Sequence, residues 1–472
     1  MAKIWVADDE PNERYPLYSR GNTGEVFPNV VSVLTATLAG PEVQRGQLQV
    51  FEDIGFLTKR DIQGPSLGTG VFGGYLYGNG SLYRLLGVRT PGMTPTSADE
   101  QGFGNIAGLP PYRPRKGDRN LLASLRLAVH LTKILRPPDL HELDRARADA
   151  EAWVARLPDL AHATDDELLA YVSEYPARLR ASITRLLHMT SVASGPRALL
   201  DKALARPGMP AGLANRLLDG VSDVDSAQLA IGLWHLGRLV AGDPVLTAAF
   251  DAGLDGIAER VAGTPLDAPL AEFLATRGHR GLDEFELATP SWSMDPRPVY
   301  AAIDRLRHSP AGRDPEIVHQ RLKAERREAQ DVVARLGRVR RRLVRRAAAT
   351  GRLGSVCRKR AKDILVKENL GARLALHELA RRARARGDRP SSARRSASRS
   401  TNSPPSSPTR LPSCRSLPSA PRARATWPSG SLRRGSRAAS PIRRPGRSGT
   451  VPAWAPPTPT HQWPLGRFAA FR

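Results

Sequence analysis

Hydrophobic positions change rhythm once along the chain, near residue 118. Before that point, from Ile4 to about Tyr77, the runs IWVA, RYPLYSRGNTGEVFPNVVSVL, VQRGQLQVFEDIGFL and GTGVFGGYLYGN are β-branched and aromatic, and Gly, Asn and Pro break them. That grammar predicts hairpins or irregular sheet. Residues 80–117 read as loop with one short helix. From Asp118 the period becomes helical: LLASLRLAVHLTKIL is stopped by Pro137 and Pro138, DLHELDRARADAEAWVARL follows, and helices continue to about Arg386. Leu229, Leu233, Leu236 and Val240 recur at helical spacing, as do Leu322, Val332, Leu336, Val339 and Leu343. Both sets predict core stripes rather than a cofactor box. The expected fold is mainly α with a small β-containing N-terminal part (α+β), divided as residues 1–117, a helical body 118–388 and a tail 389–472.

The tail changes the picture. Its large apolar residues are too few to offset the entropy of ordering, so residues 389–472 are expected to be disordered. They hold no Lys, Asp or Glu, while Arg, Ser, Pro and Ala dominate, as expected when a GC-rich gene is read out of frame. Charge follows the same division. The chain carries a formal +25, yet residues 389–472 hold 16 Arg and no acid, and residues 321–388 hold 22 basic against 7 acidic side chains. The first 320 residues therefore carry −6, which makes the folded body mildly acidic and argues against a nucleic-acid partner for it. Arg338, Arg340, Arg341, Arg342, Arg345 and Arg346 form a basic segment read as a solvated helix face, with an acidic partner or anionic ligand as the alternative.

Cys357 and Cys414 form no C-x-x-C pair, so neither zinc site nor disulfide framework is expected, and a reducing cytoplasm fits. Asp8, Asp9 and Glu10 stand where a secretory signal would be apolar, and no apolar run nears the roughly 20 residues that span a bilayer.

Candidate chemistry is sparse. Gly68, Gly70 and Gly73 satisfy G-x-G-x-x-G, but the strand-like YLY follows where a dinucleotide site needs a helix, so a glycine-rich hairpin or bulge is expected. No G-x-x-x-x-G-K-[ST] or H-E-x-x-H motif occurs, and none of the ten histidines has a metal-ligand spacing. His130, His188, His235 and His377 lie in helical patterns and read as packing or capping residues. His279 differs, because it ends the helix AEFLATRG just before Asp283 and Glu284. A neighbouring carboxylate would hold one tautomer and suit it to general acid–base work; a capping His at a helix C-terminus is the alternative.

The passage GHRGLDEFELATPSWSMDP resembles the G-x-R-x-x-x-E-[ILVF]-[DE]-[LI]-x-x-P-x-W-x-x-DP segment of phosphoenolpyruvate-utilising enzymes close to rifampicin phosphotransferase. Gly278, Arg280, Glu284, Glu286, Pro290, Trp292, Asp295 and Pro296 match, while His279 replaces an expected Met. SRGNTGEVFPNVVSVLT is similar to a second family segment through Asn22, Gly24, Glu25, Pro28, Leu34 and Thr35, with Val33 in place of Pro. FGGYLYGN likewise resembles the family's strand ending in Tyr-x-Asn. These segments align residues about 14–388 with the family's middle, substrate-binding portion.

The resemblance implies a three-part phosphotransferase. An ATP-grasp domain phosphorylates a histidine on a mobile domain, which hands the phosphoryl group to an acceptor held by the middle portion. It nominates Asn22, Glu25, His279, Arg280, Asp283 and Glu284 as acceptor-site residues, with Arg280 orienting an anion or oxygen and Glu25, Asp283 or Glu284 taking a proton. The other reading makes Arg280 with Glu284 or Asp283 a buried ion pair tying the helical body to the N-terminal strands. The sequence has no ATP-grasp ahead of this portion and no T-S-H-x-A loop after it. The expectation is therefore a chain inactive alone, binding a small-molecule acceptor but no cofactor, with ATP and Mg implied only for the complete enzyme or for a separate ATP-grasp partner. Alternatives are a scaffold subunit of a split synthase and a nucleic-acid-associated protein acting through residues 338–346 and the tail.

Overall fold

A computed structural model describes residues 7–103, 109–133, 135–206, 208–219 and 225–387. The expected disordered tail and most of the IWVA run lie outside the described residues. The fold is mainly α with one small antiparallel sheet near its N-terminus. Strands β1 (Tyr18–Ser19), β2 (Thr69–Phe72) and β3 (Tyr75–Asn79) lie in the order β1-β3-β2. Phe72 pairs with Tyr75 across a two-residue turn, Gly73–Gly74, whose φ values of 59° and 80° suit glycine and match the twist of a tight hairpin. The G-x-G-x-x-G run is thus the expected hairpin. A Cβ on Gly70 would meet the Phe72 ring at 2.7 Å and Ser66 at 2.9 Å, so that glycine makes room for protein side chains.

The strand expectation fails elsewhere in this part. Residues 23–26 form α1 (Thr23–Val26), a π-helical turn spans Thr35–Ala39, and VQRGQLQVFED lies in α2 (Gly40–Asp53). Apolar alternation misleads there because Glu42, Gly46 and Val50 also recur every four residues, and they are the buried face. Gly46 lets α2 approach a long helix, α8 (Tyr175–Leu204): an added Cβ would meet Ile183 at 2.9 Å and the Arg180 carbonyl at 3.0 Å. Residues 80–117 hold two helices rather than one, α3 (Gly80–Arg89) and α4 (Pro95–Phe103).

The helical expectation from Asp118 holds. In order come α5 (Leu121–Lys133), α6 (Leu140–Ala155), α7 (Asp165–Ser173), α8 (Tyr175–Leu204), α9 (Leu213–Leu218) and α10 (Asp225–Gly242). Asp139 caps α6 and Thr164 with Glu167 forms a capping box on α7, each satisfying backbone N–H groups left open at a helix start. Then follow α11 (Pro244–Asp251), α12 (Ile257–Val261), α13 (Asp267–Arg277), α14 (Arg297–Arg307), α15 (Pro315–Ala334) and α16 (Arg338–Ala385).

Helix α16 has 48 residues and is about 72 Å long at the usual rise per residue. It packs along α8, closely enough that a Cβ on Gly354 would meet the Val192 carbonyl at 2.8 Å. One core joins Phe27, Val31 and Val71 of the N-terminal part to Trp153, Tyr175, Leu287 and Leu365. Leu229, Leu233, Leu236 and Val240 serve the core of α10–α14, as expected. The second predicted stripe fails at Val339 and Leu343, which are 86% and 36% exposed. The chain breaks helix between Ala334 and Arg338, so the period does not carry across, and Val344, Ala347 and Ala348 are buried instead.

Candidate functional site

Residues 278–296 connect α13 to α14 by folding back on themselves. The Ser293 N–H bonds the Gly278 carbonyl at 2.9 Å and the Trp292 N–H bonds the Arg280 carbonyl at 2.8 Å. A Cβ on Gly278 would meet the Ser293 side chain at 2.8 Å, which gives a physical reason for glycine there. Two sides of this passage do different work.

One side is bolted to α16. His279 Nε2 faces Asp363 Oδ1 at 2.8 Å, with both side chains buried. Arg280 lies 3.5 Å from the same carboxylate and 2.6 Å from Glu284, whose other oxygen is 2.7 Å from Lys362 Nζ. Burial pushes the Asp363 carboxyl up, but the His279 bond and charge, with Lys367 and Arg280, outweigh it and leave its pKa at about 2. Asp363 is therefore an anion encircled by cations, and both Glu284 oxygens are engaged. Beneath the passage, buried Arg373 donates to the carbonyls of Asp283 (2.8 Å) and Glu286 (2.9 Å and 3.1 Å), and Asn369 donates to the Glu284 carbonyl at 2.9 Å.

The other side meets the N-terminal part. Glu286 accepts the Ser32 N–H (3.0 Å), the Ser32 hydroxyl (2.5 Å), the Thr35 hydroxyl (2.6 Å) and the Ala288 N–H (2.9 Å). Asn29 Nδ2 donates to Asp283 Oδ2 at 3.2 Å. Between these segments lies a cavity of about 330 Å³, lined by residues 27–32 and by Asp283, Glu286, Ala288 and Thr289. The two sequence segments that carried the family resemblance thus touch, although some 250 residues separate them.

The nominated residues divide accordingly. His279, Arg280 and Glu284 gather on α16, and the Arg280–Glu284 pair ties the passage to that helix rather than to the N-terminal strands. Asp283 alone of the six lines the cavity. Asn22, exposed before α1, donates to the Tyr83 hydroxyl at 2.6 Å, and Glu25 is exposed on α1; neither lines the cavity. Sequence reasoning missed Lys362, Asp363, Asn369 and Arg373. Their signal was present: Asp363, Glu368, Asn369 and Arg373 are polar residues inside a helical stretch whose surroundings read as core. Among the described residues no group of three or more His, Cys, Asp or Glu side chains is arranged to hold a metal ion. None of the described helices is long and apolar enough to cross a membrane.

Comparison with known families finds a match in the central segment. Residues 184–362 match the family described as the rifampicin phosphotransferase fourth domain, in agreement with the resemblance of residues 278–296. The match takes in α10–α14 and the folded-back passage, and stops one residue short of Asp363. No curated protein matches the chain.

Proposed function

We propose that the chain is the acceptor-binding portion of a cytoplasmic, ATP-dependent phosphotransferase of the rifampicin phosphotransferase type, inactive by itself. The observation that carries this reading is the convergence of residues 27–32 and 283–289 on one cavity with a carboxylate, Asp283, in its wall. Glu286 is occupied by Ser32 and Thr35, and Glu284 by Arg280 and Lys362, so Asp283 is the carboxylate best placed to act. In the transfer, the acceptor hydroxyl oxygen attacks the phosphorus of a phosphohistidine presented by another polypeptide or segment. The O–P bond forms as the N–P bond breaks, the imidazole leaves with the electron pair, and the hydroxyl proton passes to Asp283. His279, Arg280 and Glu284 are positioning residues that fix the passage on α16.

The glycine-rich run forms a hairpin packed on side chains, and in this reading ATP and Mg act in the complete enzyme or in an ATP-grasp partner. A cavity of about 330 Å³ accommodates the hydroxyl-bearing edge of an acceptor rather than a whole large one. The test mixes the full chain with a separate ATP-grasp and phosphohistidine protein, ATP and rifampicin, and follows phosphorylated product by mass spectrometry. Product requires all components, and Asp283→Asn lowers kcat roughly a hundredfold with binding retained. Equal turnover by Asp283→Asn, or turnover by the chain with ATP alone, refutes the assignment.

A further inference from the structure

A second cleft, of about 800 Å³, opens between α8 and the end of α5 with its Pro137–Pro138 turn. Lys133, Arg136, Arg180 and Arg185 line it with His130 and His188, against one lining carboxylate, Glu142. This concentration of cations stands in the part of the chain whose net charge is −6, so it does not simply follow composition. Two lining groups are neutralised from outside: Arg180 pairs with Glu42 at 2.8 Å, and His188 with Asp53 at 3.0 Å. Lys133 and Arg136 have no such ion pair among the described residues, and Arg185 acts on Asp149 and Glu368 from beyond ion-pair distance. Arg185 donates to the Ser182 hydroxyl at 3.1 Å while its buried Nε has no hydrogen-bond partner, and the same holds for the buried Nε2 of His130. Burial, then the proximity of His188 and Lys133, hold the His130 pKa below its ordinary value, as expected where positive groups outnumber negative ones. The remaining wall is apolar, from Pro137, Pro138, Met189 and Val192.

We propose that this cleft binds a phosphorylated organic molecule, its phosphate held by Lys133, Arg136 and Arg185 and its body laid against Met189, Val192 and the proline turn. Lys133, Arg136 and Arg185 line one cleft, and a phosphate offers several charged acceptor oxygens to them at once. The volume and the apolar wall select an organic phosphate over the free anion, which would leave both unused. The cleft shares no lining residue with the cavity at Asp283, so this inference stands independently of the acceptor assignment.

Calorimetric titration of the full chain tests it, with phenyl phosphate, inorganic phosphate and phenol as probes. Phenyl phosphate binds at one saturable site, more tightly than inorganic phosphate, and phenol does not bind. The double variant Lys133→Gln/Arg136→Gln, in which both changed side chains are exposed, weakens phenyl phosphate at least about tenfold, and Arg185→Gln does likewise. Absence of saturable binding overturns the proposal. So does equal affinity for inorganic phosphate, or a double variant that binds phenyl phosphate as the parent does.

Discussion

Two charged regions of this molecule are built on opposite principles. Around residues 279–286 three carboxylates are answered by close neighbours: Asp363 by His279, Arg280 and Lys367, Glu284 by Arg280 and Lys362, and Glu286 by Ser32, Thr35 and a backbone N–H. In the cleft beside α8, Lys133, Arg136, Arg180 and Arg185 face one lining carboxylate, Glu142. A closed set of charges ties elements of chain together, whereas an open one leaves electrostatic energy for something that arrives later. The family landmark thus joins the N-terminal part to α16, while the unmatched charge lies in a cleft that no motif marked.

Removing the centre of the closed set gives the largest expected effect. Asp363→Ala leaves His279 and Arg280 without their shared anion in a buried site and costs about 3–5 kcal/mol, read from urea unfolding. Acid probes the same group less severely. Its folded pKa of about 2 lies below the ordinary 3.8, so its contribution, about 2 kcal/mol, is fully present above pH 4 and is lost as pH falls through 2. The acid-induced loss between pH 4 and 2 is expected to shrink by that amount in Asp363→Asn. Smaller again is Glu286→Gln, which turns an amide donor toward groups that already donate and costs about 1–2 kcal/mol. Its signature is faster hydrogen exchange at the Ser32 amide. Were that amide unaffected, residues 29–35 would not be held by Glu286.

Much of this could be read without coordinates, and the failures have identifiable causes. Helices from Asp118 onward followed from period and the stop at Pro137 and Pro138, and the Gly73–Gly74 hairpin from the strand-like YLY after it. Helix α2 did not, because its Glu42–Gly46–Val50 face acquires meaning only through the close approach of α8. Val339 and Leu343 were misplaced because the interruption before Arg338 resets the phase of the helix. At the candidate site, local motifs supplied His279, Arg280, Asp283 and Glu284. Their partners Asp363 and Arg373 lie some 80 to 90 residues away, and only the path of α16 reveals the pairing.

The smallest expected effect sharpens the contrast most. Lys133→Gln/Arg136→Gln removes two exposed cations from the open set, and with no carboxylate pairing lost, stability should stay within about 0.5 kcal/mol of the parent. Any gain would come from relieved repulsion near Arg185 and should fade as salt rises. A ligand then separates the two proteins. At ten times its dissociation constant, phenyl phosphate stabilises the parent by about 1.4 kcal/mol through mass action and the variant by much less. A double variant that is itself strongly destabilised, with no such ligand effect in the parent, would mean that these cations belong to the fold. The two regions would then be variants of one structural device.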